Sequence, residues 1–168
     1  MGRLAQDPAR DYAASPLARL VIRPLGPSDI RAYNRFCSRL APIDVHMRFG
    51  RVIRCDDDHF RRQLLEIDHE TQEAFIALDD MGEIVGVGRI ALTQETEIAV
   101  ITRSDLKRRG IARALLLHIA DYARSRGRRD LLGYIQEENL AMRRLAETVG
   151  CSLRWQPEVG AIEARISL

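Results

Sequence analysis

Residues 98–127, IAVITRSDLKRRGIARALLLHIADYARSRG, constrain the fold of this chain more than any other stretch. Alternating β-branched residues through Val100, Ile101 and Thr102 read as a strand, while Ile111, Leu115, Ile119 and Tyr122 recur at helical spacing. The basic turn between them, Lys107-Arg108-Arg109-Gly110-Ile111-Ala112, therefore sits at a helix N-terminus. The first backbone N–H groups of a helix have no partner inside it, and the helix dipole adds partial positive charge there, so the turn is a candidate phosphate site. Gly110 and Ala112 keep side chains away from those donors, and Lys107, Arg108, Arg109 and Arg113 add charge. Taken alone, the same six residues equally describe a basic surface turn that meets only water.

The rest of the chain has to decide, and its size permits one domain. With 168 residues and 46% hydrophobic content it can bury a continuous core. The run from Ile111 to Ile119 is too short, and too interrupted by Arg113 and His118, to cross a bilayer, and no signal-peptide apolar region opens the chain. These features predict a soluble, cytoplasmic protein with no membrane partner. Cys37, Cys55 and Cys151 are odd in number and widely spaced, which suits small buried hydrophobes better than a disulfide framework or a metal pair. A formal charge of +2 and 5% aromatic residues argue against a nucleic-acid partner, despite arginine clusters at 107–113 and 124–129. Every basic residue except Lys107 is arginine.

Residues 1–18 mix Pro, Ala, Asp and Arg without periodicity and read as a loosely ordered lead, followed by a single domain over 19–168. Alternation over Arg19–Leu25 predicts a first strand. Gly26-Pro27-Ser28-Asp29 then turns into a helix capped by Ser28 or Asp29 and running to about Leu40. A short helix near Asp44–Phe49 precedes a basic loop with Arg48, Arg51 and Arg54, a candidate substrate lip. Asp56-Asp57-Asp58 suits a helix start better than a metal site, and the histidines make no HExxH, so no metal is expected. Strands over Glu73–Leu78 and Glu83–Leu92 flank the turn Asp79-Asp80-Met81-Gly82, and a third antiparallel strand begins after Thr93. Gly86 and Gly88 form GxG inside a strand with no helix following, which points to close backbone packing rather than a dinucleotide loop. Beyond the long helix come a buried strand over Asp130–Gln136 and a helix from Glu138-Asn139 with Leu140, Ala141, Leu145 and Val149 on one side. Two closing strands, Ser152–Gln156 and Ala161–Leu168, follow.

This order of elements resembles that of the GNAT N-acetyltransferases. The turn Lys107–Ala112 is similar to the family's acyl-CoA pyrophosphate signature, Arg/Gln-x-x-Gly-x-Gly/Ala, with Lys107 at its first position. Lys keeps the charge there without the planar fork of Arg. The segment Asn139 to Cys151 looks like the family's Asn-led last helix ending in Gly before an apolar residue. Three further segments, LVIRPLGPSDI, LLEIDHETQEAFIALDDMGEIVGVGRI and TEIAVITRSDLKRRGIARALL, are similar to the protein lysine acetyltransferases often called Pat.

The resemblance implies an α/β (α+β) fold with a mixed, mostly antiparallel central sheet, helices on both faces and strands splayed at the acyl-CoA site. It implies an enzyme moving an acetyl group from acetyl-CoA to a primary amine, a protein lysine ahead of a small amine, as a monomer or a homodimer. It makes Glu97 the general base, with Glu95 as its rival. The turn Lys107–Ala112 with Arg113 and Asn139 would hold the cofactor, and backbone N–H groups around Val100, Ile101 and Thr102 would meet the oxyanion. Asn139 also reads as a helix N-cap. Many members carry a tyrosine seven positions after that Asn as general acid, but here the position is Ala146, and Tyr134 and Tyr122 read as core or surface aromatics. A non-catalytic acyl-CoA sensor is the competing possibility.

Overall fold

The computed structural model describes residues 19–50 and 66–168. The lead at 1–18, Arg51, Arg54, Cys55, the Asp56-Asp57-Asp58 run and His59 lie outside the described residues. In chain order the elements are β1 (Val21–Pro24), a 3₁₀ turn (Pro27–Asp29), α1 (Ile30–Ser38), α2 (Pro42–Phe49), β2 (Gln72–Leu78), β3 (Ile84–Leu92) and β4 (Thr96–Thr102). A second 3₁₀ turn (Ser104–Leu106), α3 (Ile111–Ser125), β5 (Asp130–Ile135), α4 (Leu140–Thr148), β6 (Ser152–Gln156) and β7 (Ala161–Ser167) follow. The strands form one sheet in the order β1-β2-β3-β4-β5-β7-β6.

Every neighbouring pair is antiparallel except β4 and β5, which run parallel. Where β3 and β4 stay in register from Gly86↔Thr102 to Leu92↔Thr96, β4 and β5 share one registered pair, Glu97↔Leu132. The two strands therefore part beyond Glu97, and the sheet splays in its middle.

Helices cover both faces. On one, Ile111, Leu115, Ile119, Ala120 and Ala123 of α3 pack against Phe75, Ile90 and Val100. A Cβ on Gly86 would stand 2.7 Å from Ile111 Cγ2, and one on Gly88 would stand 2.6 Å from Ile119 Cδ1, so both glycines are the floor on which α3 rests. Tyr122 belongs to this core, its ring 5.1 Å from that of Phe75 in an edge contact. On the other face Tyr33, Phe36 and Cys37 of α1 pack on Ala74, Ile76, Ile84 and Val87. A smaller cluster joins Ala146 of α4 to Ile135, Ile162 and Ala164. No helix among the described residues is long and apolar enough to cross a membrane.

Two local expectations need correction. Leu140 is 58% exposed, Ala141 is exposed as well, and it is Ala146 that α4 buries, because the first turn of α4 overhangs a cavity instead of the core. Neither Ser28 nor Asp29 caps α1 with its side chain. Asp29 is buried and accepts two hydrogen bonds from the Arg23 guanidinium, both at 2.7 Å, and one from the Gly26 N–H at 2.9 Å. The Arg23 hydrogen bond holds the Asp29 carboxyl below its ordinary 3.8, against the opposing effect of burial. A carboxylate with a lowered folded pKa adds stability above its unfolded pKa and loses it as pH falls through the folded value. Asp29→Asn should therefore cost about 1–2 kcal/mol at neutral pH. In urea melts the gap between wild type and variant should narrow below about pH 4, and a gap independent of pH would disprove this account.

Candidate active site

The splay between β4 and β5 opens a cavity of about 1080 Å³. Its walls are the β4 residues Glu97 to Thr102, the turn from Lys107 to Arg113, Gly133 to Gln136, Asn139, and Met142 and Ala146 of α4. Apart from Glu95, each candidate residue read from the sequence as catalytic or cofactor-binding thus borders a single space.

At one end lies the turn. Gly110 adopts φ 78° and precedes the first residue of α3, no side chain caps that helix, and the Gly110 carbonyl already accepts the Ala114 N–H at 2.9 Å. The N–H groups of Ile111, Ala112 and Arg113 come before the first intrahelical bond and are the donors an anion would meet. Arg108 also has positive φ, at 60°, so the turn is coiled tightly just ahead of the helix. Arg108 and Arg109 are exposed beside it. Lys107 is not free, since its Nζ donates to the Asp44 carboxylate on α2. The same carboxylate accepts the Ser104 hydroxyl, whose oxygen accepts the Ala41 N–H at 2.7 Å. Lys107 accordingly ties the turn to α2. Asn139 caps α4 as read, its Oδ1 accepting the Met142 N–H at 3.1 Å.

Along β4 the backbone alternates. Arg103 N–H donates to the Val85 carbonyl at 2.9 Å, so the Ile101 N–H also turns toward β3 while those of Val100 and Thr102 face the β5 side. Val100 and Thr102 are thus the donors available at the opening, and Ile101 contributes its side chain to the wall.

Glu97 lies where the strands part, exposed to the cavity, and its carboxylate makes no hydrogen bond among the described residues. Glu95 precedes β4 and is engaged, accepting a hydrogen bond from Arg165 Nη2 at 2.7 Å. Arg165 also reaches Glu163 at 3.3 Å. Of the two carboxylates, only Glu97 is left to act on a ligand. Among the described residues, no group of three or more His, Cys, Asp and Glu is placed to hold a metal.

Two residues, Tyr134 and Arg89, were missed as members of the site. Tyr134 lies on β5 across the opening, 37% exposed on the cavity wall, not in the core. Desolvation, then the nearby carboxylates Glu163, Glu95 and Glu97, raise its pKa, so its hydroxyl stays a donor at neutral pH. Arg48, expected on a substrate lip, lines the cavity as well, but from the last turn of α2 and not from a loop. Arg89 comes from β3, opposite Ala99. A lone arginine in the apolar run IVGVGRIAL was the available signal, since a charge in a central strand needs a reason. Ala146, at the position of the family's tyrosine, is 5% exposed and packs with Ile135 and Ile162, so no hydroxyl is present there.

Comparison with known proteins agrees with this fold. A model of the acetyltransferase (GNAT) family matches residues 40–151. The acetyltransferase PA5475 of Pseudomonas aeruginosa is 34% identical over 137 residues, covering 78% of this chain and 74% of the relative. Among solved structures, the GNAT domain of S. lividans PAT superposes with a TM-score of 0.81 at 22% identity, over 88% of this chain and 89% of that one. A spermidine N-acetyltransferase from Vibrio cholerae, solved with CoA and spermine, gives 0.71 at 15% identity, over 89% of this chain and 96% of that one. At such identities the structural likeness speaks for the fold.

Proposed function

The chain belongs to the acetyltransferase (GNAT) family, and on that premise we propose that it acetylates the ε-amine of a protein lysine by direct attack on acetyl-CoA, with Glu97 as general base. The observation that carries this proposal is the cavity at the splay, which brings a helix N-terminus able to hold a pyrophosphate and an unpaired carboxylate to the same opening. Family membership itself supports an acyltransferase enzyme over a sensor.

The chemistry follows from the protonation state of the nucleophile. A lysine with pKa ~10.4 is neutral in roughly one copy in two to three thousand at pH 7, so a base must take its proton before or during attack. Glu97 takes that proton, directly or through one water. The nitrogen bonds to the thioester carbon, the carbonyl electrons move onto oxygen, and the Val100 and Thr102 N–H groups lie on the side where that oxyanion would form. Collapse of the tetrahedral species breaks the C–S bond and releases CoA as thiolate, whose low pKa lets it leave without a strong acid. The donors of Ile111, Ala112 and Arg113, with Arg108 and Arg109, would hold the pyrophosphate, and Asn139 would contribute its amide.

A direct test incubates the purified protein and acetyl-CoA with cell-extract proteins in one arm and with small amines, polyamines included, in the other. Release of CoA thiol together with new acetyl-lysine on proteins is the expected result. CoA release confined to the small-amine arm would replace protein lysine with a small amine as acceptor, and none in either arm would refute transfer.

A further inference from the structure

The acceptor side of the cavity holds more positive charge than acetyl transfer to an amine requires. Arg89 on β3, Glu97 and Ala99 on β4 and Leu132 and Tyr134 on β5 share the sheet face beneath the end of α2, as their registers dictate. Arg48 lies over that face with its guanidinium carbon 4.6 Å from the centre of the Phe49 ring. Arg48, Phe49, Ala99 and Ile101 line the main cavity, and the same four, with Tyr33, Val87 and Arg89, enclose a void of about 10 Å³ behind it. The void adjoins the main cavity through the four residues they share, and at this size it holds no more than one water, so an anion reaches Arg89 only with Arg48 moved aside.

Around that void the charges of the described residues do not balance. Arg89 Nη2 is fully buried and has no hydrogen-bond partner among the described residues. Burial, then the like charge of Arg89, pushes Arg48 down to about 10, with only Tyr33 and Glu97 opposing. Tyr33 accepts a side-chain hydrogen bond from Arg89 but offers no compensating charge at neutral pH, because burial raises its pKa to about 12. Among the described residues the carboxylate that acts on Arg48 is Glu97, and no hydrogen bond joins it to Arg48 or Arg89. A buried donor without a partner and a repelling pair are both costly, and a ligand anion would relieve both. The planar fork of each Arg is matched by a carboxylate.

Building on the acetyl-transfer proposal, we propose that Arg48 and Arg89 bind a carboxylate carried by the acceptor, which selects amines that also bear an acidic group. Glu97 pairs with Ala91 and Arg89 with Ala99, so the two are diagonal neighbours about 7–8 Å apart along the sheet. An amine at Glu97 and a carboxylate at Arg89 are separated by several carbons. A lysine beside Asp or Glu in a protein meets this condition, and so does free lysine through its own carboxylate. Polycations without a carboxylate are disfavoured by the same two arginines.

Matched acceptors provide the test: a Lys-Glu peptide against its Lys-Gln twin, and Nα-acetyl-lysine against its carboxamide. The wild type should favour the acidic member of at least one pair by about tenfold or more in kcat/KM, the equivalent of one charge-assisted hydrogen bond. The peptide pair and the free-acid pair distinguish the two sources of the carboxylate. In Arg89→Gln and Arg48→Gln the ratio should fall toward unity, and in Arg89→Lys, which keeps charge without the fork, it should lie between. The ratio, not the rate, is the readout, so a general loss of folded protein does not mimic the result. The same pairs are titrated onto CoA-saturated protein. Preferential binding of the acidic member without turnover would uphold the carboxylate pocket and refute acetyl transfer to these amines. Turnover or binding with equal preference in the wild type would overturn the pocket and leave transfer standing.

Discussion

Glu97→Gln is expected to lower kcat by ~100-fold or more at neutral pH while the affinity for CoA stays near that of the wild type. The substitution keeps the size and removes only the ability to take a proton. Because Glu97 sits where β4 and β5 part, with its carboxylate unengaged among the described residues, the change breaks no contact of the fold. The loss should shrink as pH approaches the lysine pKa, since a neutral amine then needs no base. Glu95→Gln is the matched control, for that carboxylate is held by Arg165. Parallel losses of turnover and CoA binding in Glu97→Gln, or a larger loss of turnover in Glu95→Gln, would remove Glu97 from the base role.

That glutamate was singled out in the sequence only through likeness to a family motif, and its surroundings show why. Local patterns resolved local structure: Asp79 accepts the Met81 and Glu83 N–H groups, and Gly82 takes φ 73°, so the turn read from Asp-Asp-Met-Gly closes the hairpin as its residue types require. The stripe Ile111, Leu115, Ile119 likewise identified the buried face of α3, and GxG was correctly assigned to packing. What escaped was non-local. Alternation tells that Arg89 and Tyr134 each point to one side of their strand, but not that β3, β4 and β5 lie adjacent with both residues on the face of Glu97. Asp29 followed the same rule, leaving a helix-capping role for the Arg23 guanidinium six residues away. In α4 the apolar stripe was real, yet its first turn faces the cavity, where apolar residues can line a ligand site as well as fill a core.

Gly110→Val should weaken CoA binding by roughly 100-fold, corresponding to the loss of one or two charge-assisted hydrogen bonds. Gly110 holds φ 78°, a conformation in which a β-branched residue is strained, and it immediately precedes the N–H groups of Ile111, Ala112 and Arg113. Valine would shift those donors and place a branched side chain over them, whereas Gly110→Ala, with a single methyl, should lose about tenfold from backbone strain of 1–2 kcal/mol. The loss should appear with acetyl-CoA and be largely absent with acetyl-pantetheine, which carries the thioester but no pyrophosphate. This comparison separates the turn from the chemistry, since Glu97→Gln should impair both donors alike. Lys107 provides the contrast within the turn. Its ammonium is already neutralised by Asp44, so Lys107→Met should weaken CoA binding far less than Gly110→Val. Equal defects in the two would mean that side-chain charge, and not the bare helix N-terminus, holds the pyrophosphate.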